Sequence, residues 1–245
     1  MARFAAAAQR VSDAVAFSDL RARVTSCPGW SAYDLVVHLG NVHAWAATIL
    51  ETGRRAPQPN DEPASTRPRV VARWYAAKAE DLYQVLRWVH PAAACWTPTS
   101  DLGDAGFWRR RQLHETTMHG LDLDLASGRS TPLEAEVAAD GVGEVLEAML
   151  VRMHRRGHPA SLSAPLQLVA DDTGDSWVLS PATAGPPTVD HRLPGHAAGG
   201  VADRLQGTAE TVYRALWHRP VADGELQIRG DAARVEAFLS SRLTP

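Results

Sequence analysis

The chain has 245 residues, of which 45% are hydrophobic and 22% charged, with a formal net charge of −3. That composition excludes a disordered chain and a protein drawn to polyanions by its bulk field, and the longest basic run, Arg109-Arg110-Arg111, is too short to track a phosphate backbone. Two cysteines, Cys27 and Cys95, stand far apart, which excludes a disulfide framework and points to a reducing compartment.

The predicted elements begin with a helix over residues 3–17. Its apolar run is short and interrupted by Gln9 and Arg10, so neither a signal peptide nor a membrane span is expected, and the cytoplasm is the expected location. Pro28-Gly29 breaks the chain. Ser31 then reads as an N-cap with Asp34 three residues on, and Leu35, Leu39, Val42, Ala46 and Ile49 give the following helix an apolar face until Gly53. Residues 54–68 are polar and proline-rich and read as a loop. A third helix is expected over 69–90, stopped by Pro91, and a fourth from Asp104 to Ser127 with Gly128 as its C′ residue. A fifth is expected from Pro132, as a first-turn proline, to Arg155.

Near residue 158 the pattern changes. Residues 166–169 and 177–179 read as strands joined by a hairpin turn at Asp171–Asp175. Residues 181–200 are rich in Pro, Gly and Ala and read as a loop. A helix follows from Thr208 to His218, a strand from Glu225 to Arg229, and a last helix capped by Asp231. The expectation is an α+β chain: a helical bundle over 1–157 and a small α/β domain over 158–245.

The chemistry points to the fourth helix. Glu115 and His119 are four residues apart, so a carboxylate and an imidazole project from one face and can reach one ion. Helical bundles build metal sites from facing helices, and His38 on the second helix is a candidate third ligand. Two histidines and a carboxylate leave positions open for water or a thiol. A surface ion pair and a satisfied core histidine account for the same residues equally simply. His43 and His114 compete with their neighbours, and spacing allows at most one of each pair to point inward.

Cys27-Pro28-Gly29-Trp30-Ser31, running into Asp34-Leu35-Val36-Val37-His38-Leu39-Gly40, resembles the opening signature of the mycothiol-dependent maleylpyruvate isomerase family of DinB-like metalloproteins. His114-Glu115-Thr116-Thr117-Met118-His119, followed by Asp122, resembles its second signature. Leu216-Trp217-His218-Arg219-Pro220 and Leu226 to Asp231 resemble its C-terminal domain. The resemblance implies a DinB-like four-helix bundle with a small C-terminal α/β domain. It also implies a divalent, zinc-like ion on His38, Glu115 and His119, a donor set that also accepts nickel, manganese or iron, and mycothiol as the thiol cosubstrate. The implied chemistry is isomerisation or S-transfer on a small electrophile; the charge and the lack of an apolar span add the expectation of no nucleic-acid or membrane partner, with monomer and homodimer both open.

Arg111, one turn before Glu115, is a candidate anchor for a substrate or cofactor carboxylate, or else the partner of Glu115 in a surface ion pair. Arg219 matches an arginine of the family's tail and is a candidate for binding an acidic substrate, or else simply exposed beside Pro220. Asp122 either accepts a hydrogen bond from the non-ligating ring nitrogen of His119 or is a solvated helix-end carboxylate, with the balance towards the latter. Cys27 reads as packing at a turn, with a redox role open, and Trp30 and Trp45 as core or pocket-wall aromatics. A non-catalytic binding protein is the alternative reading, since the chain shows no P-loop or nucleophile elbow. A metal-dependent hydrolase with Glu115 as base is weaker still. Specificity is expected in the loops 54–68 and 181–200.

Overall fold

The computed structural model describes residues 1–194 and 200–245. The chain forms two compact units, Met1–Thr131 and Pro132–Pro245. The division expected at 157 falls earlier, because the helix after Pro132 packs on α7 of the second unit, described below.

The first unit holds four long helices: α1 (Ala2–Ala16), α2 (Ala32–Thr52), α3 (Pro68–Trp88) and α4 (Ala105–Ala126). They pack in a ring in which α2 and α4 are neighbours, α1 touches α3 and α4, and α3 touches α2. Local chemistry sets their ends. At α2 the Ser31 side chain accepts from the Asp34 N–H while the Asp34 carboxylate accepts from the Ser31 N–H, and Gly53 closes the helix in the left-handed region. At α4 the Asp104 carboxylate caps the Phe107 N–H. Arg109 donates to the carbonyls of Leu86 and Val89 at the end of α3, where last-turn carbonyls otherwise lack partners. A two-residue strand pair, β1 (Ala94–Cys95) with β2 (Gly103–Asp104), delivers the chain into α4.

Two apolar clusters hold the ring together. One gathers Val11, Val15, Leu35, Leu39, Val71 and Leu123. The other gathers Phe4, Ile49, Leu82, Leu86 and Trp108. α4 departs from the usual amphipathic pattern: Arg111, Gln112, His114, Thr116, Thr117, His119 and Asp122 are all buried. A helix that puts this many polar groups inside must satisfy them there, since each unpaired one costs roughly 1–3 kcal/mol.

The second unit opens with α5 (Ala135–Glu144), which runs through a π-helical turn (Val145–Met149) into α6 (Leu150–Arg155). Pro132 therefore lies before the helix rather than in its first turn. The sheet that follows has the order β5-β4-β3-β6-β7, built from β3 (Leu166–Ala170), β4 (Ser176–Ser180), β5 (Thr188–Arg192), β6 (Asp203–Gly207) and β7 (Gln227–Arg229). β3 and β6 are parallel and the other pairs antiparallel. β5 lies inside the stretch expected to be loop: its five residues, Thr188-Val-Asp-His-Arg, are too polar to show as a strand and are ordered by pairing with β4. Of that stretch, residues 195–199 fall outside the described residues. α7 (Ala209–Leu216), capped by Thr208, packs on β3 and β6, and α8 (Ala232–Leu239), capped by Asp231, packs on β6 and β7. Gly230 is required here: its φ is +84° and a Cβ would overlap Asp203, whose carboxylate holds Arg234. Among the described residues no helix is long and apolar enough to cross a membrane.

Candidate metal centre

His38 comes from α2 and Glu115 and His119 from α4, so the antiparallel packing of these neighbours brings the three together. One Glu115 oxygen, Oε1, lies 3.3 Å from the Nε2 of His38 and 3.3 Å from the Nε2 of His119. The two imidazoles stand nearly perpendicular, with centroids 5.5 Å apart. The ligand atoms of all three residues lie within 4.8 Å of one another. His38 keeps 28% of its side chain exposed, against 15% for Glu115 and 8% for His119, so the cluster faces outward on the His38 side. Trp30 lies against His38 with ring centroids 4.8 Å apart.

Behind the cluster, Asp122 is fully buried and its Oδ2 lies 2.9 Å from the Nδ1 of His119. Ser26 donates to its Oδ1 at 2.6 Å, and the Cys27 thiol lies 3.8 Å from Oδ2. Asp122 is thus an inner partner of His119 and not a solvated helix-end carboxylate, and Cys27 packs at the turn as a donor to it. With Nδ1–H given to Asp122, a neutral His119 turns the lone pair of Nε2 toward the Glu115 carboxylate. Two acceptors cannot face each other in a dry site unless a proton or a cation lies between them.

The titration behaviour agrees. Burial alone would raise Glu115, but the Arg111 guanidinium and the hydrogen bonds from His119 and His38 hold its carboxyl well below the usual range. Burial alone would lower His119, but Asp122, Cys27 and Glu115 hold it well above the usual histidine range. The cluster is therefore built to trap positive charge at Nε2 of His119. The donor set, two imidazoles and a carboxylate with a carboxylate backing one imidazole, suits a divalent ion with an open position. Cys27, His119 and Asp122 also lie close enough for a shared ion, but there the Nδ1 of His119 already serves Asp122.

Arg111 is only 4% exposed, and its NH2 is 2.8 Å from Glu115 Oε2. The pair is buried, not a surface ion pair. Arg219 belongs to the second unit, where it donates to the Trp217 carbonyl and lies over the Trp217 ring. The competing histidines prove the more deeply buried ones: His43 and His114 are fully enclosed while His38 and Glu115 are not. His43 pairs Nδ1 with Gln112 Oε1 at 2.8 Å and Nε2 with the Tyr75 hydroxyl at 3.3 Å. The roles of Ser26 and Gln112 escape sequence reasoning. The available signal was the run of polar residues right round α4, which no solvated helix between packed neighbours would need.

Residues 1–124 match the family model described as the mycothiol maleylpyruvate isomerase N-terminal domain. The chain belongs to this family. No curated protein matches the sequence. Among solved structures, a mycothiol-dependent maleylpyruvate isomerase carrying a histidine-to-alanine substitution is similar, with a TM-score of 0.60 at 10% identity over 93% of this chain and 90% of that one. A second structure of mycothiol-dependent maleylpyruvate isomerase is similar with a TM-score of 0.58 at 13% identity over the same shares. At these identities the likeness establishes the α+β fold, and the family's helical N-terminal domain coincides with the unit that carries His38, Glu115 and His119.

Proposed function

We propose that the chain is a mycothiol-using isomerase of a small unsaturated electrophile, with a divalent ion, zinc by the family resemblance, held by His38, Glu115 and His119. The observation that carries this reading is the shared Glu115 oxygen, 3.3 Å from both imidazole Nε2 atoms and backed by Asp122 on His119. A divalent ion on such a set supplies the charge that keeps a thiol of ordinary pKa, about 8.5, deprotonated at neutral pH.

The chain's own residues prepare that chemistry. Asp122 fixes the tautomer of His119, so that Nε2 and not Nδ1 is offered. Arg111 occupies Glu115 Oε2 and leaves Oε1 to the two imidazoles, which keeps the carboxylate ionised. Trp30 packs against His38 with its ring tilted 51° to the imidazole, which restrains the ring on that side. The reaction is addition and elimination: a cis double bond conjugated to a carbonyl becomes single as a thiol sulfur bonds to it, rotates, and re-forms as trans with release of the same thiol. No atom is gained or lost. S-conjugation of a substrate with a leaving group draws on the same parts. Arg219 is proposed, from the family resemblance, to bind an acidic group of the substrate.

The test is metal analysis and turnover of maleylpyruvate with mycothiol, on wild type, Glu115→Gln and His119→Ala. About one ion per wild-type chain, lost with turnover in both folded variants, is the expected result. Turnover that survives His119→Ala overturns the reading.

A further inference from the structure

The loop at residues 54–68 is held down at two points, and both lie on one face of α2. Asn41 and Trp45 stand three and seven residues after His38, on the helix face that His38 shares. Trp45 donates its indole N–H to the Ala56 carbonyl at 2.8 Å. Asn41, 3% exposed, donates from Nδ2 to the carbonyls of Val37 and Asp61, and its Oδ1 accepts the Asp61 N–H at 3.0 Å. The amide therefore pairs with both backbone groups of Asp61, as a strand neighbour would. Lys78 of α3 holds the Asp61 carboxylate at 2.6 Å and lies over the Trp74 ring, which packs on Gly40. Further along, Pro63 is buried and Glu62 lies near enough to Tyr33 to raise its hydroxyl pKa, after burial itself. From Ala56 to Asp61 the chain thus runs back along α2, from the level of Trp45 to that of Asn41, one turn after His38.

We infer that residues 56–63 form a fixed wall beside the outward side of the metal centre, and that Asn41 is the positioning residue that sets it. The inference rests on reading His38 as the ligand at the open side. α4 bounds the other flank of His38 through Glu115 and His119. A polar segment with prolines at 57, 59 and 63 suits a wall: it has few conformations to lose and no ladder of its own, so it takes its place from the pins. Asn41 contributes no atom to the ligand set and acts through the loop.

The experiment is chemical access to His38 in the full chain after chelator treatment, read as diethyl pyrocarbonate modification of the His38 peptide, with His191 of the second unit as internal control. Asn41→Leu keeps the volume and removes the pins at Asp61. It is expected to speed hydrogen exchange over 56–63 and His38 modification by on the order of tenfold, the factor that losing one or two net hydrogen bonds allows, with His191 unchanged. Trp45→Phe removes the indole N–H while keeping an aromatic ring at that position, and should give a smaller rise of the same kind. With substrates, both variants are expected to raise KM with little change in kcat, as loss of uniform binding does. Faster exchange over 56–63 with His38 unchanged overturns the wall, and unchanged exchange overturns the role of Asn41. If His191 speeds up equally in Asn41→Leu, that variant has lost its fold and Trp45→Phe decides. Wild type that holds no metal yet shows the His38 effect removes the metal reading and leaves the wall standing.

Discussion

Two histidine centres bridge α2 and α4, and they solve opposite problems. His43, with Gln112 and Tyr75, is closed: both ring nitrogens have a neutral partner, and burial pushes its pKa down to about 4. His38 and His119 sit among Glu115, Arg111 and Asp122, and their cluster is open on one side. The same residue type on the same helix pair, five residues apart on α2, is held between an amide and a phenol in one place and set beside the Glu115 carboxylate in the other. What separates them is the partner set. An amide and a phenol stabilise a neutral ring, whereas two carboxylates ask for a cation on the ring or between the rings.

The largest expected effect comes from breaking the open centre. His119→Ala removes a proposed ligand and leaves Asp122 buried without its imidazole. Metal affinity should fall by more than about a hundredfold, beyond the 10–100-fold typical of an outer partner, while His43→Gln leaves metal affinity within about threefold of wild type, as expected for a site that shares no ligand. Competitive titration against a metal indicator reads both. Equal losses in the two variants would make the two centres one cooperative unit and sink the comparison.

The centres should also titrate with opposite sign. The unfolded chain protonates His43 near pH 6.5, but the folded chain resists until about 4. The unfolded state binds more protons in that window, so the contribution of His43 is fully present above about pH 6.5 and is lost as pH falls toward 4. It amounts to about 3 kcal/mol. His119 is raised, so its contribution in metal-free protein is complete below about pH 6.5 and is lost as pH rises through its folded value. Urea unfolding of chelated protein across this range should show an acid limb that His43→Gln flattens. An acid limb that persists in the variant would assign it elsewhere.

Sequence reasoning recovers much of this architecture where local chemistry decides. The Ser31–Asp34 capping box, Gly53, Gly128 and the start of α4 at Asp104 mark the helix ends as the structure has them. It fails where neighbours decide. β5 is a strand because β4 pairs with it, and α5 joins the second unit because of α7; neither fact is carried by the local residues. The spacing of Glu115 and His119 is legible, and so is the candidacy of His38. That His43 is the enclosed histidine and Asp122 the buried partner is not, because a helix without an apolar stripe hides which of its polar residues face inward.

Asp122→Asn sharpens the open centre while leaving the three proposed ligands in place. The amide can still accept from His119 Nδ1–H, but the charge that favours the imidazole as a donor is gone. Metal affinity should drop about 10–100-fold, measured by the same titration, with the fold retained because Ser26 can still reach the side chain. A variant that binds metal as tightly as wild type would show Asp122 to be a packing residue.

Arg111 carries the smallest expected effect and separates two roles. Its guanidinium is committed to Glu115 Oε2 in a buried pair, so its absence leaves the carboxylate with burial raising its pKa and less to oppose it. Arg111→Met, which keeps the stem's packing, should therefore move the onset of metal binding to higher pH and weaken it about tenfold near neutrality, the equivalent of roughly one pKa unit. If Arg111 instead serves a substrate carboxylate, metal affinity and its pH profile stay at wild-type values and KM for acidic substrates alone rises. A shift in metal onset accompanied by a rise in KM for acidic substrates would show that Arg111 serves both Glu115 and the reactant.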